Sequence, residues 1–180
     1  MRMSELKKII FGLFIASLLT GCNDAVDAFG IKLDSKSEQL KKDDLVKRAN
    51  LIPSKQHFLE LQLTKAPDPA LGDAADYTVN SANGKVIGVR GSIDDSQSSL
   101  YKGAVEYAKS KLGDPVATNE GISDSSAVNK IPYGCVKQSS CPTQKYSVFR
   151  KNNVSAMVSS GDGTTTLMFD TDEIKEALKQ

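Results

Sequence analysis

The 180-residue chain has no tryptophan, one histidine and three cysteines, and aromatic residues make up only 6% of it. Each shortage removes a class of chemistry. Sites that hold sugars or quaternary cations stack them on large exposed rings, and few such rings are available here. His57 is the sole histidine, so any Ser-His or Cys-His mechanism has one base to use, and no diagnostic neighbour stands beside it. Gly-x-Ser-x-Gly elbows, His-Glu-x-x-His helices and Gly-rich phosphate loops are missing as well. Charge of one sign is not in excess either: 23 Lys and Arg face 22 Asp and Glu, so no basic field points to nucleic acid. Long apolar runs are also lacking. The longest, Ile9 to Leu19, would cover ~16 Å as a helix, about half of a ~30 Å hydrocarbon core.

What is present starts with the position of that run. Arg2, Lys7 and Lys8 precede it and small residues close it, which are the three parts of a secretory signal. It ends on Leu19-Thr20-Gly21-Cys22, which resembles the lipobox of bacterial lipoproteins: aliphatic, small, Gly or Ala, Cys. The resemblance covers this segment alone. It implies cleavage before Cys22, a thioether-linked diacylglycerol on that cysteine, and an acylated amino group. Two or more acyl chains, at ~0.8 kcal/mol per buried CH₂, convert marginal attachment into stable anchoring. In the enteric sorting rule, Asp after the lipidated cysteine retains the protein in the inner membrane; the residue here is Asn23. The expected address is therefore the periplasmic face of the outer membrane.

The expected organisation is a signal peptide over 1–21, a lipidated N-terminus and flexible tether over 22–37, and one domain over 38–180. With Cys22 lipidated, Cys135 and Cys141 form an even pair in an exported chain, and a disulfide is the expected use. Five residues lie between them and no histidine is near, which favours neither a redox dithiol nor a metal pair.

Along the domain, Leu40, Leu45 and Val46 among alternating charges predict a short helix over 38–49. Leu59, Leu61 and Leu63 alternate with polar residues as a half-buried strand does. Asn83-Gly84 between alternating segments predicts a hairpin. Leu100, Ala104, Ala108 and Leu112 recur at helical spacing and end at Gly113 and Pro115. Val116 to Gln144, rich in Ser, Asn, Gly and Asp, reads as a long loop. Three strands follow, near 146–150, 154–159 and 165–169, and then a helix capped by Asp170. The expected fold is α+β, a mostly antiparallel sheet of about six strands with helices on one face, in the order α-βββ-α-loop-βββ-α.

Three fragments invite catalytic or metal readings. Thr166 to Asp172 resembles the strand-then-Asp-x-Asp nucleophile motif of haloacid-dehalogenase-type phosphatases, but that motif opens a Rossmann-like domain and only eight residues follow Asp172. Asp94-Asp95 and Ser160-Gly161-Asp162-Gly163 lack the alternating oxygen ligands of a calcium loop, and turn chemistry accounts for both. The expected function is a non-enzymatic, lipid-anchored binding or scaffold module. It would have a membrane contact through Cys22, an envelope protein partner, and no cofactor, metal or nucleic acid. A narrower form is an immunity or inhibitor lipoprotein acting on a toxin or wall hydrolase. A different class is a periplasmic hydrolase using His57 or an acidic pair.

Overall fold

A computed structural model describes residues 25–52, 57–141 and 145–179. The six expected strands and the expected helix ending at Gly113 are there, within an antiparallel sheet of nine strands rather than six. A first hairpin pairs β1 (Asp27–Ala28) with β2 (Ile31–Lys32), and the short helix α1 (Glu38–Lys42) follows. The strands of the large sheet are β3 (Val46–Leu51), β4 (Phe58–Leu63), β5 (Asp76–Ala82), β6 (Lys85–Asp94), β7 (Ala117–Thr118), β8 (Gly121–Ile122), β9 (Lys145–Lys151), β10 (Val154–Gly161) and β11 (Thr164–Thr171). Helices α2 (Tyr101–Leu112), α3 (Ser125–Val128), α4 (Gly134–Lys137) and α5 (Glu173–Lys179) complete the chain.

Spatial order is β3-β4-β5-β6-β11-β10-β9-β7-β8. Two meanders, β3 to β6 and β9 to β11, are thus joined edge to edge through β6 and β11. Tight turns set the hairpins. Asn83 and Gly84 sit at φ 51° and 76°, and Asp162 and Gly163 at 52° and 79°, the left-handed pairs that two-residue hairpin turns require.

The register sorts side chains onto two faces. Ala156, Phe169, Val89, Val79 and Leu61 lie in one row across β10, β11, β6, β5 and β4. That face carries α2, whose Ala104, Ala108 and Leu112 are buried against it, together with the β1–β2 hairpin and Leu40 of α1. The opposite face carries two smaller clusters. One packs Val116, Ala117, Val128, Ile131 and Val136 on Val148 and Met157; the other packs Ile174 of α5 on Phe58, Ala82 and Ile87. Helices therefore cover both faces, which corrects the expectation of helices on one. The cause is visible in β10, where every residue from Val154 to Ser160 is buried, so apolar or small groups point both ways and both need cover.

Three more expectations give way. Residues 25–37 are not a free tether: Val26, Ala28, Phe29, Ile31 and Leu33 are all buried. Helix 38–49 stops at Lys42, and Val46 onward becomes an edge strand on β4. The stretch 116–144 is not an irregular loop where it is described. Its β7–β8 hairpin extends the sheet past β9, and α3 and α4 fold back beneath as a small lobe. Asp124 caps α3 by accepting from the Ser126 and Ala127 N–H groups.

Phe29 closes the main core. It occupies the first position of the β1–β2 turn at φ 55°, a left-handed conformation unusual for a bulky residue. Its ring is fully buried, stacked on Tyr107 at 5.6 Å and edge-on to Tyr77 and Phe169 at 5.1 and 5.9 Å. The next residue must be glycine, because a Cβ on Gly30 would lie 2.7 Å from Pro67 Cβ. The Tyr107 hydroxyl accepts from Phe29 N–H at 2.8 Å, so ring packing and a backbone hydrogen bond hold the turn together. Burial of such a ring outweighs the ~1–2 kcal/mol of left-handed strain. Phe29→Ala is expected to lower unfolding free energy by about 3–5 kcal/mol in urea titration; a loss below about 1 kcal/mol would show that the hairpin is peripheral.

Candidate functional site

A largely buried polar cluster lies where the lobe meets the sheet. Arg150, Ser155, Asp170, Gly88, Asn80 and Glu60 occupy one register row across β9, β10, β11, β6, β5 and β4. On this row the lobe sends down Tyr133, whose hydroxyl donates to Asp170 Oδ2 at 3.0 Å. The other carboxylate oxygen lies over Gly88, where an added Cβ would be 2.5 Å from Asp170 Oδ1. Glycine is required at position 88 for that close approach and not for its backbone conformation.

Burial pushes the Asp170 carboxyl up to about 6, against the Tyr133 hydrogen bond and the Arg90 charge, which favour ionisation. Tyr133 is raised well above its ordinary value, first by burial and then by the Asp170 charge beside it. Next to this pair, Arg150 forms a two-pronged contact with Asp172 at 2.6 and 2.7 Å and also donates to Ser155 Oγ and the Lys130 carbonyl. Its Nε finds no partner among the described residues. Lys175 donates to the same Lys130 carbonyl at 2.7 Å. The cluster thus ties the lobe at Lys130 and Tyr133 to β9, β10, β11 and the start of α5. Apart from Arg150 Nε, the contacts of the cluster run between the lobe and the sheet, so the arrangement is suited to clamping one on the other.

Asp170 therefore does not cap the last helix as expected from the sequence. It is an interior residue of β11, buried against the lobe, and α5 starts at Glu173. Asp172, two residues on, is held by Arg150. Asp95 holds the turn that leads into α2. Burial pushes its carboxyl up, but donation from Leu100 N–H, the Thr165 hydroxyl, and Ser99 N–H and hydroxyl more than offsets that and brings it down to about 2.

Cys135 and Cys141 are joined as a disulfide with Cα atoms 4.6 Å apart, within the normal span. The bond closes the α4 turn, and Val136 inside that ring is buried in the lobe core. Cys22 lies outside the described residues. His57 is exposed at the entry to β4, at φ 70°. It lines a cleft of about 150 Å³ with Phe58, Asn83, Glu173 and Glu176. Glu173 is paired with Lys85 at 3.7 Å and Glu176 with Lys179 at 2.8 Å. Among the described residues no cluster of His, Cys, Asp and Glu is arranged to hold a metal ion, and no helix is long and apolar enough to cross a membrane.

Comparison with family models, curated proteins and solved structures returned no match. The site is therefore read from its own geometry. Sequence reasoning missed Tyr133 and Arg150, because nothing local marks either of them. The one available signal was Asp170 inside an otherwise apolar and Thr-rich strand, a buried-polar position that calls for a partner from elsewhere in the chain.

The clamp has a pH signature. The folded Asp170 holds its proton up to about 6, against an ordinary 3.8 in the unfolded chain. Its contribution thus favours the fold below that ordinary value and is lost as pH rises through about 6. Asp170→Asn is expected to flatten the stability slope between pH 4 and 6 and to match or exceed wild-type stability at pH 7.5. Tyr133→Phe removes the donor and is expected to cost about 1–3 kcal/mol at pH 7.5 and less at pH 4. Urea titrations across this range decide the matter, and an unchanged slope in Asp170→Asn would exclude a titrating clamp.

Proposed function

We propose that this chain is a lipid-anchored envelope protein that acts as a non-enzymatic binding module, presenting its stapled lobe to a protein partner. The address rests on the lipobox pattern ending at Cys22. The observation that carries the binding role is the β7–β8 hairpin, which lies at the opposite end of the strands from Ala25, the first described residue. The hairpin carries Ile122, 51% exposed, at the far edge of the nine-stranded sheet. Two clefts flank it: about 340 Å³ lined by Tyr101, Glu120 and Lys145, and about 360 Å³ lined by Ile122, Val136, Cys141 and Tyr146. An exposed apolar side chain beside a polar turn, Asn119-Glu120, on a short disulfide-braced lobe, is the kind of surface partners use. Inhibition of a toxin or wall hydrolase is the narrower form of this reading, with the lobe entering the target. The identity of the co-purifying partner would distinguish that from scaffolding.

Crosslinking in native envelopes tests both halves. Cys22→Ala is expected to remain unacylated and to leave the detergent phase on partition, while Ile122→Asp is expected to stay anchored and lose the crosslinked adduct. An adduct of unchanged yield in Ile122→Asp would remove the lobe tip from the interface.

A second reading, a periplasmic hydrolase, is favoured by one observation: His57 shares its cleft with Glu173 and Glu176. His57→Ala with retained folding is expected to leave any envelope hydrolytic activity unchanged. A loss of tenfold or more would promote the enzyme reading over the binding one.

A further inference from the structure

The end of the domain from which the chain leaves toward Cys22 has its own chemistry. Ala25 and Val26 line a shallow cavity of about 400 Å³ with Asp34, Lys151, Asn152 and Asn153. Asn153 links this end together: its side chain donates to Asp34 Oδ2 at 3.4 Å, and its carbonyl accepts from Asp172 N–H just before α5. Lys36 bridges to Lys85 at the β5–β6 turn. Lys36, Lys85 and Lys151 thus stand at the exit end of the strands, and Lys130 and Lys175 lie toward the same end on the opposite, lobe-bearing face. Lys85 has an exposed, loose pairing with Glu173, while the other four have no carboxylate within ion-pair distance among the described residues. Cationic crowding is felt locally: the Lys175 ammonium is lowered first by burial and then by Lys137, with Asp172 opposing. The opposite end is mostly acidic, with Asp76, Asp94 and Asp162 at strand ends and turns and Glu120 on the β7–β8 turn, against Lys145.

Reach then matters. Three peptide steps separate Cys22 from Ala25, at most ~11 Å at ~3.6 Å per residue, and screening at physiological salt takes hold over ~8 Å. A domain on so short a leash keeps its exit end against the headgroups. We infer that the exit end of this domain, through Lys36, Lys85, Lys151 and their neighbours, is a docking surface for the anionic phospholipid headgroups of the leaflet that holds the anchor. The inference rests on the lipid-anchored reading. Lysines beside an anionic surface are attracted to it within a screening length, and the acidic far end is repelled. The two ends together orient the strands along the membrane normal, with the lobe hairpin facing away.

Lysine acetylation footprinting of the full lipidated protein tests this, using vesicles of phosphatidylcholine alone and vesicles with 40% phosphatidylglycerol. The expected result is flotation with both, and acetylation of Lys36, Lys85 and Lys151 slowed threefold or more on the anionic vesicles only, reversing in 0.5 M salt. Lys102 and Lys109 on α2 should not change. The variant Lys36→Gln, Lys85→Gln, Lys151→Gln should still float and should lose the protection of Lys175. Flotation with equal reactivity on both vesicles overturns the docking while leaving the anchor intact. Equal protection on both overturns recognition by charge. Protection found in native envelopes but not on anionic vesicles assigns the surface to a protein and overturns the lipid. Failure to float with neutral vesicles overturns the anchor, and the docking with it.

Discussion

A carboxylate buried in the middle of a sheet is costly unless donors meet it, and the architecture of this domain turns on how Asp170 is met. One oxygen needs the space left by the missing side chain of Gly88, on β6 of the first meander. The other needs Tyr133, which belongs to the lobe between the meanders. The strand that carries Asp170 belongs to the second meander. A single side chain therefore requires three separately built parts of the chain to be in register at once. Apolar packing alone would permit the lobe to slide on Val148 and Met157. The directional hydrogen bond, with the Arg150–Asp172 pair beside it, fixes one seating.

Much of the sheet was legible in the sequence where local chemistry decides the outcome. Asn83-Gly84 supplied its turn, the alternating leucines of β4 their strand, and Gly113 the end of α2, because each depends on neighbours a few residues away. The failures share the opposite cause. Val26, Ala28, Ile31 and Leu33 flank Phe29-Gly30 in a hairpin pattern, but the run is short and polar enough to read as a tether. Only partners such as Tyr77, Tyr107 and Phe169 convert it into structure. The 116–141 lobe has too few apolar residues in sequence to look folded, and it is folded because Val148 and Met157 lie ready on the sheet. For the candidate clamp, Asp170 was read as a helix cap because it follows the apolar run to Phe169, and Tyr133 and Arg150 acquire meaning only through the register.

The two edges of the sheet are managed differently. At β3 the register shifts between Val46 and Arg48, and Lys47 and Arg48 stand exposed, a bulge with charges that discourages pairing with another chain. At β8 the strand is only two residues long, which limits backbone pairing and leaves side chains such as Ile122 as the accessible feature. Recognition at that end would thus run through surface shape and the flanking clefts rather than through strand addition.

Placement of Phe29 also has a consequence for how the molecule comes into being. Synthesis delivers this residue early, yet its ring partners lie at 77, 107 and 169, the last almost at the end of the chain. Its full packing needs residue 169, so closing the core depends on contacts of long sequence separation, a kind that is slow to form. The turn nearest the start of the described residues is thereby tied to the last strand of the sheet, so loosening either end of the domain loosens the other.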